Sequence, residues 1–303
     1  MQLSIIIPMY NESKYVGRCL DSLLGQTFHN FELIMIDDGS KDNTVKIVEG
    51  YNNKIHNLTI LHQKHGGPGK ARNRGASIAK GEILIFIDAD MVFDKKYLEE
   101  LIKPIVEGKE IGTAHGWEYV ANKDHAIARA FSLIRLSYNP KDKRSGVFRA
   151  IRKEVFIESG GFDTSKGYSD DDLSKRIGSS LSIPGAIAYH NNPEGFGEII
   201  KHSERVGASL VKSGEIKNYL LKYKLWVIVF IIGLLLLLYA IGLSYGLGAG
   251  IGLLFLLISI KGIQRAISER YRSHIVYVPL VMICRGLGYI SGGFKYLFSK
   301  TVY

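Results

Sequence analysis

Two aspartates one residue apart, Asp88 and Asp90, follow an apolar run and are the first candidates for chemistry in this chain. The run Ile83–Ile87 consists of Ile, Leu and Phe residues, which predicts a strand buried on both faces of a parallel sheet. Ligands of such sheets lie at the carboxyl ends of the strands. Two carboxylates there suit a hard cation, Mg²⁺ or Mn²⁺, that also takes phosphate oxygens from a substrate. Taken alone, the spacing fits equally well a polar turn that caps the next helix.

Three earlier strands, Leu3–Pro8, Phe31–Ile36 and Leu58–Leu61, alternate with helices before this run. This alternation predicts an α/β protein with the βαβ half of a doubly wound sheet. The first turn has no glycine, so the dinucleotide fingerprint is absent, and Ala71 stands where a Walker loop requires Ser or Thr. The side chains predicted at the carboxyl edge of the sheet are Tyr10, Asn11, Asp37, Asp38, Asp88 and Asp90.

An edge with that many carboxylates repels a phosphate unless a cation intervenes, which favours the metal interpretation of Asp88 and Asp90. Lys70 and Arg72 follow the glycine-rich loop and are candidate donors to a diphosphate. The alternative for both basic residues is an ordinary solvated helix start.

The middle of the chain predicts further elements. These are a helix at Lys95–Ile105, a strand at Gly112–Val120, a helix at Asp124–Leu136, a strand at Gly146–Ile151, a helix at Glu154–Ser159, a strand at Ala186–Tyr189 and a basic helix at Phe196–Lys212. Three consecutive aspartates, Asp170 to Asp172, stand at a helix start, where capping accounts for one or two of them.

The segment Leu225–Ile260 carries no charged side chain and is too long for one membrane span, so it predicts a transmembrane hairpin that turns near Gly242–Gly248. We therefore expect a domain at 1–213 and a membrane domain at 214–303. The membrane domain would contain two spanning helices, about 225–242 and 247–261, and an interfacial segment, about 275–290.

Lysine and arginine residues flank the hairpin on both sides and are absent from its loop, which predicts cytoplasmic flanks and a cytoplasmic 1–213 domain at the cell membrane. The start of the chain lacks the basic prelude and long apolar core of a signal peptide. Two cysteines indicate a reducing compartment. The net charge of +10 fits an anionic leaflet and phosphorylated substrates. The sequence contains no basic helix with interleaved aromatic residues, so it does not predict nucleic-acid binding.

Five groups of residues together resemble the family-2 glycosyltransferases of GT-A fold. They are Ile5–Glu12, Ile36–Ser40, Ala71–Gly75, Asp88–Asp90, and Gly160–Asp163 with Asp170–Leu173, and the likeness covers about residues 1–210. The resemblance implies a GT-A, Rossmann-like nucleotide-sugar-binding domain and an inverting, metal-dependent transferase. The membrane layout resembles polyprenyl-phosphate enzymes such as dolichyl-phosphate mannosyltransferases. This likeness implies GDP-mannose, or else UDP-glucose, as donor and a lipid-linked acceptor.

The resemblance also implies residue roles. Asp170 is the expected catalytic base, although Ser169 stands where the family usually has Glu. Tyr10 is expected to stack on the base and Asp38 to accept its imino N–H. The expected nucleotide-binding residues are Pro8, Tyr10, Asn11, Glu12, Asp38, Lys70, Arg72, Asp88 and Ala89.

The metal would be Mn²⁺ or Mg²⁺, with Asp88, Asp90 and His190 as candidate ligands, and Arg205 is a candidate for an acceptor phosphate or the diphosphate. A structural histidine and a solvated helix face are the alternatives for His190 and Arg205. A catalytically inactive, nucleotide-sugar-binding scaffold is the alternative function. A transporter is disfavoured, because the hairpin has no intramembrane ionisable residues.

Overall fold

A computed structural model describes residues 2–134, 143–165, 172–212 and 284 of the chain. The chain divides into two compact units. The described residues of the first are 2–121, 143–165 and 172–191, and those of the second are 122–134, 192–212 and 284. The predicted domain boundary after residue 213 lies outside the described residues and stays a prediction.

The first unit begins with alternating strands and helices, as the sequence predicts. The elements are β1 (Leu3–Met9), α1 (Val16–Leu24), β2 (Phe31–Asp37), α2 (Thr44–Glu49), β3 (Leu58–His62), α3 (Pro68–Ile78) and β4 (Ile83–Phe86). The strands lie in the order β3-β2-β1-β4, and every pairing among them is parallel. The predicted βαβ half-sheet is therefore confirmed.

The remaining elements are β5 (Met91–Phe93), α4 (Tyr97–Val106), β6 (Gly112–Val120), α5 (Ala126–Ile134), β7 (Arg144–Ser145), β8 (Ala150–Arg152), α6 (Lys153–Glu158), α7 (Asp172–Ile177), β9 (Ser180–His190) and α8 (Phe196–Lys212). Beyond β4 the sheet continues as β8-β6-β9-β5, and β7 pairs with β9. The β4–β8 and β5–β9 pairings are antiparallel, so the complete sheet is mixed. Helices α5 and α8 belong to the second unit.

Apolar clusters cover both faces of the sheet, which explains the continuous apolar strands. Ile5 and Ile7 of β1 pack with residues of α1 and α4, whereas Ile6 packs with residues of α3 on the opposite face. All three isoleucine side chains are fully buried. Burial on both faces is the reason why β1, β2 and β4 show apolar runs rather than alternation.

Two predicted elements have wrong boundaries and one strand was not predicted, each for an identifiable reason. Helix α1 begins at Val16 rather than at Asn11–Ser13, because the backbone N–H groups of those residues donate to side chains that follow β2. The strand predicted at Gly146–Ile151 is only Ala150–Arg152, because its partner β4 ends at Phe86. Strand β5 has three residues, too few for a periodicity to reveal it.

No helix among the described residues is both long and apolar enough to cross a bilayer. The predicted hairpin at Leu225–Ile260 and the interfacial segment at 275–290 lie outside the described residues.

Helix α3 packs closely on the sheet at Gly75. A Cβ atom there would lie 2.5 Å from Ile6 Cγ2 and 2.8 Å from Ile36 Cδ1. We expect Gly75→Ala to lower the free energy of unfolding by about 1–3 kcal/mol through overpacking. Gly17→Ala in α1 is the matched control. Its nearest neighbour would be 3.5 Å away, so it should be neutral or stabilising by about 0.5–1 kcal/mol. Thermal melts that rank the two variants in the opposite order would contradict the packing explanation.

Candidate active site

The loops that follow β1 and β2 are joined at the carboxyl edge of the sheet. Asn11 adopts φ 57°, in the left-handed region where asparagine is tolerated better than most residues. Its N–H donates to Ser40 Oγ at 3.0 Å, and its Oδ1 accepts from the N–H of Lys41 at 2.8 Å. The N–H of Glu12 donates to Thr44 Oγ1 at 2.7 Å. The expected nucleotide residues Asn11 and Glu12 therefore lie in a braced turn.

The carboxylate of Asp38 organises the loop that leads into α3. It accepts hydrogen bonds from Gln63 Nε2 at 2.7 Å and from the N–H groups of Gly66 and Gly67, both at 2.8 Å. His65 Nδ1 lies 2.9 Å from its Oδ2 atom. Asp38 is 3% exposed, so its carboxylate oxygens bind groups of the chain itself rather than solvent. Its predicted bond to a nucleobase stays a prediction, and its observed contacts shape the glycine-rich loop.

Tyr10 presents an aromatic ring at the end of β1, as expected. One face of that ring stacks on His65, with ring centroids 4.1 Å apart and an interplanar angle of 28°. Since Asp38 holds His65, the same carboxylate indirectly fixes the face of Tyr10. Stacking of a planar base on the ring of Tyr10 stays a prediction.

Asp88 lies between two arginines rather than alone at the strand end. Its Oδ1 accepts from Arg72 Nη2 at 2.6 Å and its Oδ2 from Arg149 Nη1 at 3.0 Å. Burial by itself favours the neutral acid, but the guanidinium groups of Arg149 and Arg72 outweigh it and hold the pKa of Asp88 well below its ordinary value. Asp88 is therefore an anion whose two oxygens are both engaged.

Three residues of the segment Ala71–Gly75 make contacts that explain their presence in the structure. Arg72 binds Asp88 and lies over the ring of Phe162, with 5.7 Å from guanidinium carbon to ring centroid. Asn73 brackets the same residue, donating to its carbonyl at 2.8 Å and accepting from its N–H at 2.9 Å. Gly75 allows the close helix–sheet contact. The segment thus ties the Gly160–Asp163 turn to the site.

Asp90 and His190 are brought together by the pairing of β5 with β9. Met91 lies opposite His190 in that ladder, and His190 Nε2 is 3.4 Å from Asp90 Oδ2. The next residue, Asn191, donates both its N–H, at 3.1 Å, and its Nδ2, at 2.7 Å, to the carbonyl of Asp90. The sequence proposal that His190 joins Asp90 is supported by this proximity, although ligation itself stays a prediction.

The Asp90–His190 pair has the donor chemistry that a divalent cation requires. The Nδ1 atom of His190 is buried and has no hydrogen-bond partner among the described residues. Within the described ranges, no group of three His, Cys, Asp or Glu side chains gathers in a metal-binding arrangement. A cation held here would complete its shell with substrate oxygens and water, as Mg²⁺ and Mn²⁺ commonly do. The Asp90 carboxylate and the Nε2 atom of His190, which face each other, are ligand types that such an ion accepts.

Of the three consecutive aspartates, only Asp172 belongs to the described residues, and it has a structural role. Its Oδ2 accepts from the N–H of Asp163 at 2.8 Å and from Arg176 Nη2 at 2.5 Å. Arg176 also donates to the carbonyl groups of Ser159 and Gly161. Asp172 thus fastens α7 to the Gly160–Asp163 turn. The expected base, Asp170, lies outside the described residues.

The other predicted site residues are spread over several elements. Pro8 is in β1 opposite Ile36, and the buried Ala89 lies between the two aspartates. Lys70 is exposed in the first turn of α3. Arg205 is an exposed residue of α8 in the second unit.

Sequence reasoning missed Gln63, His65, Arg149 and Asn191, all of which contact predicted site residues. None of the four stands in a recognised motif, so no local signal pointed to them.

The family model for glycosyl transferase family 2 matches residues 4–164, which is more than half of the chain. The chain belongs to this family. The match includes the loops after β1, β2 and β4 and the Gly160–Asp163 turn. The family predicted from the sequence is thereby confirmed.

Among curated relatives, this family-2 glycosyltransferase is similar to the glycosyltransferase GlyG of Streptococcus pneumoniae. The two are 36% identical over 188 residues, which cover 56% of this chain and 62% of GlyG. It is also 41% identical over 103 residues to TarS of Staphylococcus aureus, a poly(ribitol-phosphate) beta-N-acetylglucosaminyltransferase, covering 33% of this chain and 18% of TarS. The chain thus spans less than two thirds of the length of either relative.

Two solved structures share the fold of this family-2 glycosyltransferase. Residues 1–349 of S. aureus TarS, solved with UDP-GlcNAc, match with a TM-score of 0.53 at 18% identity, covering 98% of this chain and 92% of that one. The mannosyltransferase PcManGT of Pyrobaculum calidifontis, solved with GDP-Man and Mn²⁺, matches with a TM-score of 0.62 at 17% identity, covering 99% and 88%. These likenesses confirm the predicted GT-A fold.

Proposed function

We propose that this chain is an inverting glycosyltransferase that moves a hexose from a nucleoside diphosphate sugar to a lipid-linked acceptor with the help of a divalent cation. The observation that carries the proposal is the meeting of Asp90 and His190 at the end of β4, beside the Arg-bound Asp88. These groups lie at the edge where ligands of such sheets bind. Membership of the family supports the reaction class.

In this proposal the nucleoside lies along the loops after β1, β2 and β3. Tyr10, backed by His65, offers a stacking face, and the loop held by Asp38 surrounds the base together with Pro8, Asn11 and Glu12. Asp88 and the adjacent Ala89 would contact the ribose, and Lys70 would reach the diphosphate. The UDP-GlcNAc and GDP-Man complexes of structures with the same fold support a donor of this class.

Asp90 and His190 would hold Mn²⁺ or Mg²⁺, and the PcManGT complex supports this choice because it contains Mn²⁺ with GDP-Man. A cation bound there neutralises charge that develops on the leaving diphosphate. Neighbouring residues fix the positions of these two side chains. Asn191 donates a hydrogen bond to the carbonyl of Asp90, and the β5–β9 pairing holds His190 in place.

Asp170 would take the proton of an acceptor hydroxyl. The oxygen of that hydroxyl would attack the anomeric carbon from the face opposite the diphosphate, which leaves. A single displacement of this kind inverts the anomer. A lipid phosphate, being already ionised, would need no base. Arg205 would pair with a phosphate of the acceptor.

The lipid-linked acceptor and the membrane location are supported by the sequence. The basic helix α8 is followed by the apolar segment Leu225–Ile260 and its basic flanks. We therefore propose a chain anchored in the cell membrane with the catalytic unit in the cytoplasm. A mannosyl donor is favoured by resemblance alone. The similarity to TarS raises a second candidate acceptor, a polyol-phosphate polymer.

A donor panel measured by thermal shift tests the proposal. With Mn²⁺ present, the correct nucleotide sugar at 100 times its Kd should stabilise the protein by about 2.7 kcal/mol, or about 5–10 °C in Tm. GDP-mannose, UDP-glucose and UDP-GlcNAc form the panel, and the same sugars with EDTA are the control. A cation-independent shift would argue against the metal, and no shift with any nucleotide sugar would contradict the function. Binding without any transfer or donor hydrolysis would instead support the inactive scaffold.

A further inference from the structure

Arg149 lies at the centre of the site although no motif contains it. Its backbone is held on both sides: the N–H of Phe86 donates to its carbonyl, and its own N–H donates to the carbonyl of Thr113, each at 2.8 Å. These two bonds place Arg149 beside Phe86, the last residue of β4. Phe86 precedes Asp88 by two residues. The residue is 7% exposed, so its charge is buried.

A buried guanidinium needs a compensating anion, and Asp88 supplies it. Arg149 Nη1 contacts Asp88 Oδ2 at 3.0 Å, and the side chain of Asp88 is 28% exposed, so one side of the pair faces solvent. Arg72 takes the other oxygen, Oδ1, at 2.6 Å. With an arginine on each oxygen, the carboxylate cannot rotate about its Cβ–Cγ bond without losing an ion pair.

Three further polar side chains form a chain of contacts near Arg149. The hydroxyl of Tyr97 lies 3.4 Å from His115 Nδ1, and His115 Nε2 lies 3.4 Å from Glu118 Oε2. Burial raises the pKa of Tyr97 and lowers that of His115, so both groups are neutral near pH 7. The positive charge of Arg149 acts to lower the pKa of both groups. Arg149 therefore lies near this polar cluster as well as beside Asp88.

We propose that Arg149 is a positioning residue for the donor: with Arg72 it clamps Asp88 by both oxygens and holds it beside the donor rather than on the cation. The proposal rests on the proposed function, because it assumes that a nucleotide sugar and a divalent cation bind at this edge. Without Arg149, one oxygen of Asp88 is released two residues from Asp90 and adds negative charge to the metal site. The donor then loses a fixed acceptor while the cation gains an attractive neighbour.

The test is Arg149→Met, which removes the charge and keeps most of the volume. Donor affinity by calorimetry should fall about 10–100-fold, by analogy with the loss that follows removal of an outer partner of a metal ligand. Mn²⁺ affinity measured by electron paramagnetic resonance, without donor, should stay the same or tighten. A loss of donor affinity without a loss of Mn²⁺ affinity is the signature of positioning, since general damage to the fold would weaken both.

Three further variants complete the experiment. Arg149→Lys, which keeps the charge, should restore part of the donor affinity, and it replaces the methionine variant if that one does not fold. Arg149→Met in an Asp88→Asn background should cost little more than Asp88→Asn alone, because the two residues act as a unit. Arg144→Met is the matched control, since Arg144 is exposed and pairs with Glu110, and its donor affinity should equal that of the wild type.

The outcomes separate the two proposals. A wild-type protein that binds donor and Mn²⁺, with Arg149→Met unchanged in donor affinity, overturns the role of Arg149 alone. Parallel losses of donor and Mn²⁺ affinity also overturn it. A wild-type protein that binds no nucleotide sugar overturns the proposed function, and the inference falls with it.

Discussion

Asp90→Asn should lower kcat/KM for sugar transfer by at least about 100-fold at saturating Mn²⁺, because the substitution removes the carboxylate whose Oδ2 lies 3.4 Å from His190 Nε2. Asparagine has nearly the same shape, and the carbonyl of residue 90 would still accept both hydrogen bonds from Asn191. We therefore expect the fold to survive while Mn²⁺ binding, measured by electron paramagnetic resonance, is lost.

Asp94→Asn is the matched control for this prediction. Asp94 lies four residues away, and its carboxylate accepts a hydrogen bond from the N–H of Lys96 at 3.2 Å in an exposed turn. The same chemical change there should leave both Mn²⁺ binding and kcat/KM within about twofold of the wild type. Full activity of Asp90→Asn, or of the wild-type protein in EDTA, would end the metal proposal.

Asp170→Asn should lower transfer to a hydroxyl acceptor by about 10²–10⁴-fold, the usual contribution of a positioned general base. With a polyprenyl phosphate as acceptor the loss should be much smaller, because that nucleophile is already ionised. Initial rates with a polyprenyl-phosphate-linked sugar and with a polyprenyl phosphate separate the two cases. Asp171→Asn is the matched control, as it changes the neighbouring carboxylate in the same way.

The assay for Asp170 also tests the acceptor and membrane proposals. It uses membranes washed with alkaline carbonate, which removes proteins that are only attached to the surface. Loss of all transferase to the wash would contradict the proposed hairpin. Equal turnover on a water-soluble sugar and on the lipids would refute the lipid acceptor, and preference for a polyol-phosphate polymer would favour the second candidate.

Much of the arrangement at the carboxyl edge of the sheet was predictable, because local patterns and chain direction suffice for it. Apolar runs mark β1, β2 and β4, and parallel strands must end at one edge of the sheet, so the residues that follow them meet there. The motifs after these strands therefore predicted the family and the location of the site. Helix α8 was predicted with its observed bounds, because its apolar residues recur with helical spacing.

The partners of those residues were not predictable, because they come from distant segments. Arg149 reaches Asp88 from 61 residues further along the chain, and the side chain of Asn191 reaches Asp90 from 101. Strand β5, which directly follows Asp90 and whose pairing with β9 places Asp90 near His190, is too short to show a periodicity. Such contacts depend on the order and direction of strands in the sheet.

The contrast is clearest at the two aspartates of the Asp88–Asp90 segment. The amino-acid sequence by itself determined that two carboxylates follow a buried strand, and its family resemblance assigned Asp90 mainly to a cation and Asp88 partly to the ribose. Only the tertiary structure decided which charges surround each of them: Asp88 is neutralised by two arginines, whereas Asp90 faces a histidine. The physical reason is that the state of a carboxylate is set by the charges within a few ångströms of it, and those charges arrive through non-local pairing that no local pattern encodes.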